Sequence, residues 1–299
     1  MIIKYDKNIE KQTFLESGSV LQEITQDSSL NPDQIYELGI INNPRVTLDN
    51  QRWAELQNAN LIHYLFSEAP VPVTFDYEGT MVNWLKLPDT WPPTIDTIVH
   101  LRGQDKSESV QSAKTVLDIF CGTGMAGKHA LRRNPNIESI MFSDIEINYI
   151  NHIIHNMEGE NSEVNYVMGN VFEKIGYKYD LIIASAVPAT SVAPHVTRAI
   201  NPIFEGTNSL KKLIYNARDY LNENGTLIVS HSSAGDIKFE EYIKEQGADA
   251  KLLHQQEGLF RVEFLRDPMW VDYLVERKGL SQNPDGTYNH TIRVKEVSF

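Results

Sequence analysis

The residues best able to do chemistry in this chain cluster around a short turn. The apolar run Val116-Leu117-Asp118-Ile119-Phe120 leads into Cys121-Gly122-Thr123-Gly124, and Met125 to Leu131 then reads as a helix. A strand, a Gly-x-Gly turn and a helix let backbone approach a bound ligand, because glycine has no Cβ and tolerates positive φ. Many nucleotide-binding α/β proteins carry such a turn. Here an acid, Asp118, precedes the glycines, no third glycine follows at dinucleotide spacing, and no Lys-Ser or Lys-Thr follows to hold phosphate. A second acid, Asp144, closes the next apolar run, Ser139 to Ser143. The set suits a ligand that carries a ribose and an ammonium group but no phosphates.

Such a site needs several strands ending side by side. The apolar pattern predicts strands at 114–120, 138–143, 164–168, 179–185, 226–230, 250–254 and 291–295. Helices are expected at 124–133, 147–157, around Leu210 to Leu221, 236–246 and 268–278. This alternation predicts an α/β, Rossmann-like, mostly parallel seven-stranded sheet with helices on both faces. Ligands of such sheets bind outside the carboxyl ends of the strands. Ahead of it, roughly the first 65 residues read mostly as helices by apolar spacing. Val73–Tyr77 and Thr80–Trp84 then flank Glu78-Gly79 as a two-residue hairpin. Trp91-Pro92-Pro93-Thr94 opens a helix to about Leu101, and Gly103 to Ser109 reads as a polar loop. Residues 1–100 are thus expected to form a helical and hairpin lid region, and 101–299 the main domain.

On these motifs the chain resembles the S-adenosylmethionine (SAM)-dependent methyltransferases with a Rossmann-like fold, over about 114–298. The resemblance implies that the turn from Asp118 through Phe120, Gly122, Thr123 and Gly124 wraps the methionine part of SAM. It implies that Asp144, with Ile145 beside it, holds the ribose. Gly169-Asn170-Val171 stands where the family contacts adenine; Asn170 replaces the commoner Asp, and its amide oxygen can still accept from the adenine amino group. A looser likeness, over 70–230, is to the HemK-type glutamine methyltransferases. It rests on the hairpin, on Pro92 to Thr97, which would border the cofactor through Thr97, and on Asn201 to Asn208. That group carries Asn-Pro-Pro-Tyr after strand four, where this chain has Ser185-Ala186-Val187-Pro188. The departure removes the amide grip and the aromatic ring for a planar acceptor. It points to a changed acceptor, with Ser185 lining both the cofactor and the acceptor side.

Methyl transfer from a sulfonium needs mainly positioning. A general base helps when the acceptor must lose a proton. Candidates are His195 in the strand-four loop and His231 after strand five, with Asp76, Glu78 and Glu205 as further acids; each also reads as a solvated loop residue. His152 and His155 share metal-compatible spacing, but a solvated helix face explains them and no metal is expected. Tyr64, Phe75, Tyr77, Trp84 and Trp91 either line an acceptor pocket or form an interdomain core.

The charge balance bounds the partners. Forty acids against 27 Lys and Arg give a net charge of −13, which disfavours nucleic acid, since phosphate contacts supply most of that affinity. Apolar content of 41% is ordinary for a globular chain. No transmembrane run or signal peptide is expected. The single cysteine, Cys121, fits packing within a small-residue turn and a reducing cytoplasm. The expectation is a cytoplasmic SAM-dependent methyltransferase acting on a small molecule at N, O or C. A protein side-chain methyltransferase and a SAM-binding protein without turnover stay open, as does the oligomeric state.

Overall fold

The computed structural model describes residues 2–5, 73–84, 95–185, 206–235, 238–260, 268–284 and 288–299. β1 (Ile2–Tyr5) pairs antiparallel with β2 (Val73–Tyr77), which pairs with β3 (Thr80–Trp84). The β2–β3 connection is the expected two-residue turn: Glu78 and Gly79 both take positive φ, +48° and +84°, the geometry that matches strand twist in tight hairpins. A strand at Ile2–Tyr5 was not expected. Its partner lies some seventy positions on in the chain, and short-range apolar spacing carries no such signal. The helices expected over the rest of the first 65 residues lie outside the described residues.

Helices α1 (Ile95–Gln104) and α2 (Glu108–Ser112) lead into β4 (Thr115–Ile119). Then follow α3 (Met125–Arg133), β5 (Ser139–Asp144), α4 (Ile147–Asn156), β6 (Glu163–Met168) and β7 (Tyr179–Ala184). After them come α5 (Gly206–Asn216), β8 (Leu221–Ser232), α6 (Phe239–Glu245), β9 (Asp249–Leu259), α7 (Pro268–Glu276), β10 (Ser281–Gln282) and β11 (Tyr288–Ser298). The parallel strands run in the order β6-β5-β4-β7-β8. β11 enters antiparallel between β8 and β9, and the two-residue β10 pairs with its start. The seven expected strands are all present, so the α/β, mostly parallel sheet holds.

Alternation along each strand sends side chains to opposite faces. Val116, Ile140, Phe142 and Ile153 pack on one face with Val99 and Leu101 of α1. Leu117, Ile182 and Val229 pack on the other with Leu210, Leu213 and Ile214 of α5 and Phe239 of α6. The division drawn at residue 100 falls inside α1, whose Val99 and Leu101 belong to the main core. The expected loop at Gly103–Ser109 is shorter. Gly103 lies within α1, and its lack of a Cβ permits close approach to Val294 of β11, with which a Cβ would collide. Ser107 caps α2 by accepting from the Val110 N–H at 3.4 Å, and Val110 is fully buried. Asn224-Gly225 was expected to turn the chain into a strand starting at 226. It lies instead within β8 at a register shift against β7, with Asn224 at φ +63°.

Candidate functional site

Asp144 ends β5, Ser185 follows β7, and the glycine turn follows β4, so the expected motifs meet at the carboxyl edge of the parallel sheet. The turn opens with Phe120 at φ +57° and continues through Gly122 at +51° and Gly124 at +79°. A left-handed phenylalanine is strained by about 1–3 kcal/mol and persists only when neighbours over-determine it. Here they do. The Cys121 N–H donates to the Ser143 carbonyl at 3.2 Å and the Gly124 N–H to the Cys121 carbonyl at 2.8 Å. The Gly122 N–H donates to Asp144 Oδ2 at 2.9 Å, and the Gly127 N–H to Asp118 Oδ2 at 2.7 Å. A Cβ on Gly122 would make only an ordinary contact, with Tyr149 Cε1 at 3.9 Å, so it is the positive φ rather than crowding that favours glycine there. A Cβ on Gly127 would collide with the Phe142 ring, so that glycine serves the packing of α3 on β5.

The two acids differ in role. Asp118 is completely buried beneath the turn. Burial pushes its carboxyl well above the usual range, against the Gly127 hydrogen bond and with help from the Asp144 charge. It holds the backbone of the turn. Its Oδ1 is buried and, within the described structure, unpartnered. Asp144 Oδ1 accepts from the Glu146 N–H at 3.0 Å, while Oδ2 holds Gly122. Burial raises Asp144 to about 6, with backbone donors pulling the other way. The backbone N–H groups of Gly122, Glu146 and Ile145 act on the carboxylate, which keeps acceptor capacity for a further hydroxyl donor. Cys121 is buried, and burial with the two nearby carboxylates pushes its thiol well up, which leaves it unreactive.

The remaining expected cofactor residues take varied positions. The Gly169 N–H donates to the Asp144 carbonyl at 3.0 Å, bringing the end of β6 against the end of β5. Asn170 follows, exposed, its N–H on Glu173 Oε2 at 3.2 Å. Val171 is buried at φ +56°, a strained conformation for a β-branched residue. Ile145, 51% exposed, presents an apolar side chain beside Asp144, suited to cover a planar base. Thr123 and Ser185 are buried at the edge. Thr97 is buried in the first turn of α1. The turn therefore fits SAM: a carboxylate suited to a ribose diol, an apolar flank, and the start of α3, where helix N–H groups favour an amino-acid carboxylate.

The catalytic candidates separate. His195 and Glu205 lie outside the described residues. His231 is not in a loop after the strand but within β8, buried, its ring centroid 4.1 Å from that of Phe239, with Nε2 unpartnered among the described residues. Burial with nearby Lys295 and Arg293 lowers it to about 4, so it is neutral at pH 7. The possible metal pair diverges: His152 is buried with Nδ1 on the Asn148 carbonyl at 2.6 Å, whereas His155 is exposed beside Glu158. Of the five aromatics, Tyr77 turns into the core against the His129 ring; Tyr64 and Trp91 lie outside the described residues.

Two polar arrangements were missed in the sequence. Ser232 Oγ, at the end of β8, lies 2.6 Å from His290 Nδ1 on β11. Asn156, the last residue of α4, is buried and bonded to both β3 and the glycine turn. Neither was visible, because each joins residues from distant strands and helices.

A profile of the methyltransferase small domain family matches residues 106–259. No curated protein sequence matches the chain. Among solved structures, the ribosomal protein L11 methylase of Lactobacillus delbrueckii subsp. bulgaricus is 16% identical, over 69% of this chain and 81% of that one, with a TM-score of 0.42. Precorrin-6y C5,15-methyltransferase of Geobacter metallireducens GS-15 is 10% identical, over 71% and 92%, at 0.44. Trm5b of Pyrococcus abyssi is 14% identical, over 76% and 56%, at 0.46.

Proposed function

Because the chain belongs to the methyltransferase small domain family, whose profile spans more than half of it, we propose that it transfers the methyl group of SAM to a small-molecule acceptor, at N, O or C. SAM-dependent methyl transfer is the activity of the enzyme; the acceptor class and the residue roles are the proposal. SAM supplies a methyl group already activated on a sulfonium. The chain must then bind the cofactor, aim its methyl and exclude water. The pinned glycine turn and Asp144 are suited to the first task, and Ser185, beside the turn, to the second. Neutral His231 is too enclosed to reach an acceptor proton without movement, so the reading assigns it to packing and leaves His195 as the candidate base.

The observation that carries the acceptor class is the charge of −13, which works against the phosphate contacts that hold a nucleic acid. The chain is incubated with methyl-labelled SAM and a cell extract separated into small-molecule, protein and RNA fractions. Label in the small-molecule fraction is expected. Label confined to protein or RNA would overturn the acceptor class while leaving the methyltransferase activity in place.

A further inference from the structure

Among the described residues, most anchors on the glycine turn come from β4, β5, the start of α3 and the turn itself, and one comes from the side chain of a residue farther along the chain, Asn156. The Thr123 carbonyl accepts from Asn156 Nδ2 at 2.9 Å. The same Nδ2 donates to the Asn83 carbonyl at 3.0 Å, and Asn156 Oδ1 accepts from the Asn83 N–H at 2.7 Å. Asn83 sits in β3, the edge strand of the three-stranded sheet. One buried amide thus satisfies both backbone groups of an edge-strand residue and, with its second N–H, fixes a carbonyl of the turn. Lys128 of α3 donates to the Asn156 backbone carbonyl, closing the node from the far side. The peptide between Thr123 and Gly124 is held at both ends, its carbonyl by Asn156 and its N–H by Cys121.

We propose that Asn156 is a positioning residue for the cofactor turn, and that the local link it makes from Asn83 of the hairpin to the Thr123 carbonyl, rather than hairpin docking at large, tunes the affinity for SAM. The proposal rests on the reading of the turn as the SAM cradle. An amide at the end of a helix often serves only to close it, and an edge strand needs some partner for its backbone. Neither need requires contact with the turn. The bond to Thr123 is what converts a structural patch into a coupling, because a carbonyl released there lets the Thr123–Gly124 peptide rotate and lose its fixed geometry toward the ligand. The far end of the same hairpin offers a comparison. Thr80 Oγ1 lies 2.8 Å from His129 Nδ1, and His129 Nε2 lies 3.1 Å from Asp105. That contact holds the hairpin to α3 without touching the turn.

The test measures S-adenosylhomocysteine (SAH) affinity by titration calorimetry, and Tm, for four variants of the full chain. Asn156→Ala is expected to weaken SAH about tenfold, the equivalent of one net hydrogen bond. Asn156→Asp keeps the acceptor for the Asn83 N–H but loses both donors, so it is expected to weaken SAH to a similar extent; it serves also if the alanine variant fails to fold. Thr80→Val loosens the hairpin at its other end and is expected to lower Tm with SAH affinity unchanged. Gly122→Val tests the cradle itself. If Gly122→Val abolishes binding while both Asn156 variants bind as the parent does, the coupling is overturned and the cradle stands. Equal losses in Thr80→Val and Asn156→Ala would also overturn it, since general hairpin docking would then explain both. Normal binding by Gly122→Val would remove the cradle reading, and the coupling with it.

Discussion

Asp144 is where a single side chain is asked to do most. It accepts hydrogen bonds from the Gly122 and Glu146 N–H groups, and the proposed function assigns it the ribose of SAM. Replacing it with alanine should cost about 1.5–3 kcal/mol of SAH binding, the range for a charge-assisted acceptor. The sign of its pH dependence follows from burial. With a folded value of about 6, the free enzyme takes up a proton as pH falls through that value, and the protonated carboxyl is a poorer acceptor for ribose hydroxyls. SAH affinity is therefore expected to drop below about pH 6, and Asp144→Asn should flatten that limb. Calorimetry at pH 5, 6 and 7.5 reads both; an unchanged pH profile in Asp144→Asn would assign the titration elsewhere. His100 offers a second case, away from the ligand. It is completely buried, both ring nitrogens lack a partner among the described residues, and burial lowers it to about 3. A depressed histidine favours folding above the unfolded value of about 6.5 and loses that contribution as pH falls toward 3. His100→Leu should raise Tm at pH 7 and flatten the acid limb by up to about 1.4 kcal/mol per pH unit over that window. Steeper acid denaturation in the variant would refute it.

Among the elements, the hairpin and α3 meet through His129. Its contacts assign one tautomer: Nδ1 accepts from the Thr80 hydroxyl and Nε2–H donates to Asp105. Burial lowers its pKa, with Asp105 opposing, so the ring is neutral and the relay intact near neutral pH. Thr80→Val leaves Nδ1 without its donor and is expected to destabilise the protein by about 1–3 kcal/mol in urea unfolding. A change within about 0.5 kcal/mol would mean that the hairpin docks by packing alone. The hairpin itself was legible, because two β-rich runs flank a Glu-Gly pair in which two positive φ values are affordable. What holds it in place was not. Thr80, Asn83, His129 and Asn156 are ordinary polar residues in sequence, and only the fold brings them within hydrogen-bonding distance. The same reason hid α2, whose five residues are too few for a periodic signal, and the pairing of β1 with β2.

For the whole molecule, the alternation of apolar runs was sufficient to place the sheet and the order of its elements along the chain. That the motif residues gather at one edge was legible because short sequence spacing maps onto neighbouring strand ends; their contact with SAM is part of the proposal. Boundaries shifted at Gly103, which lies within α1 against β11, and at Asn224, taken up within β8. His231 was misjudged for the opposite reason: a polar residue after an apolar run reads as a loop, but the strand continues past it. No helix among the described residues is long and apolar enough to cross a membrane. The central proposal is that the glycine turn and Asp144 hold SAM and offer its methyl to a small-molecule acceptor. A crystal structure with SAH tests it directly. The expected result places the ribose hydroxyls on the Asp144 carboxylate, the amino-acid part along Gly122 to Gly124, and the sulfur facing a closed cavity beside Ser185. A ribose bound away from Asp144 would contradict the cofactor site, and a sulfur opening onto a broad surface groove would contradict the small-molecule acceptor.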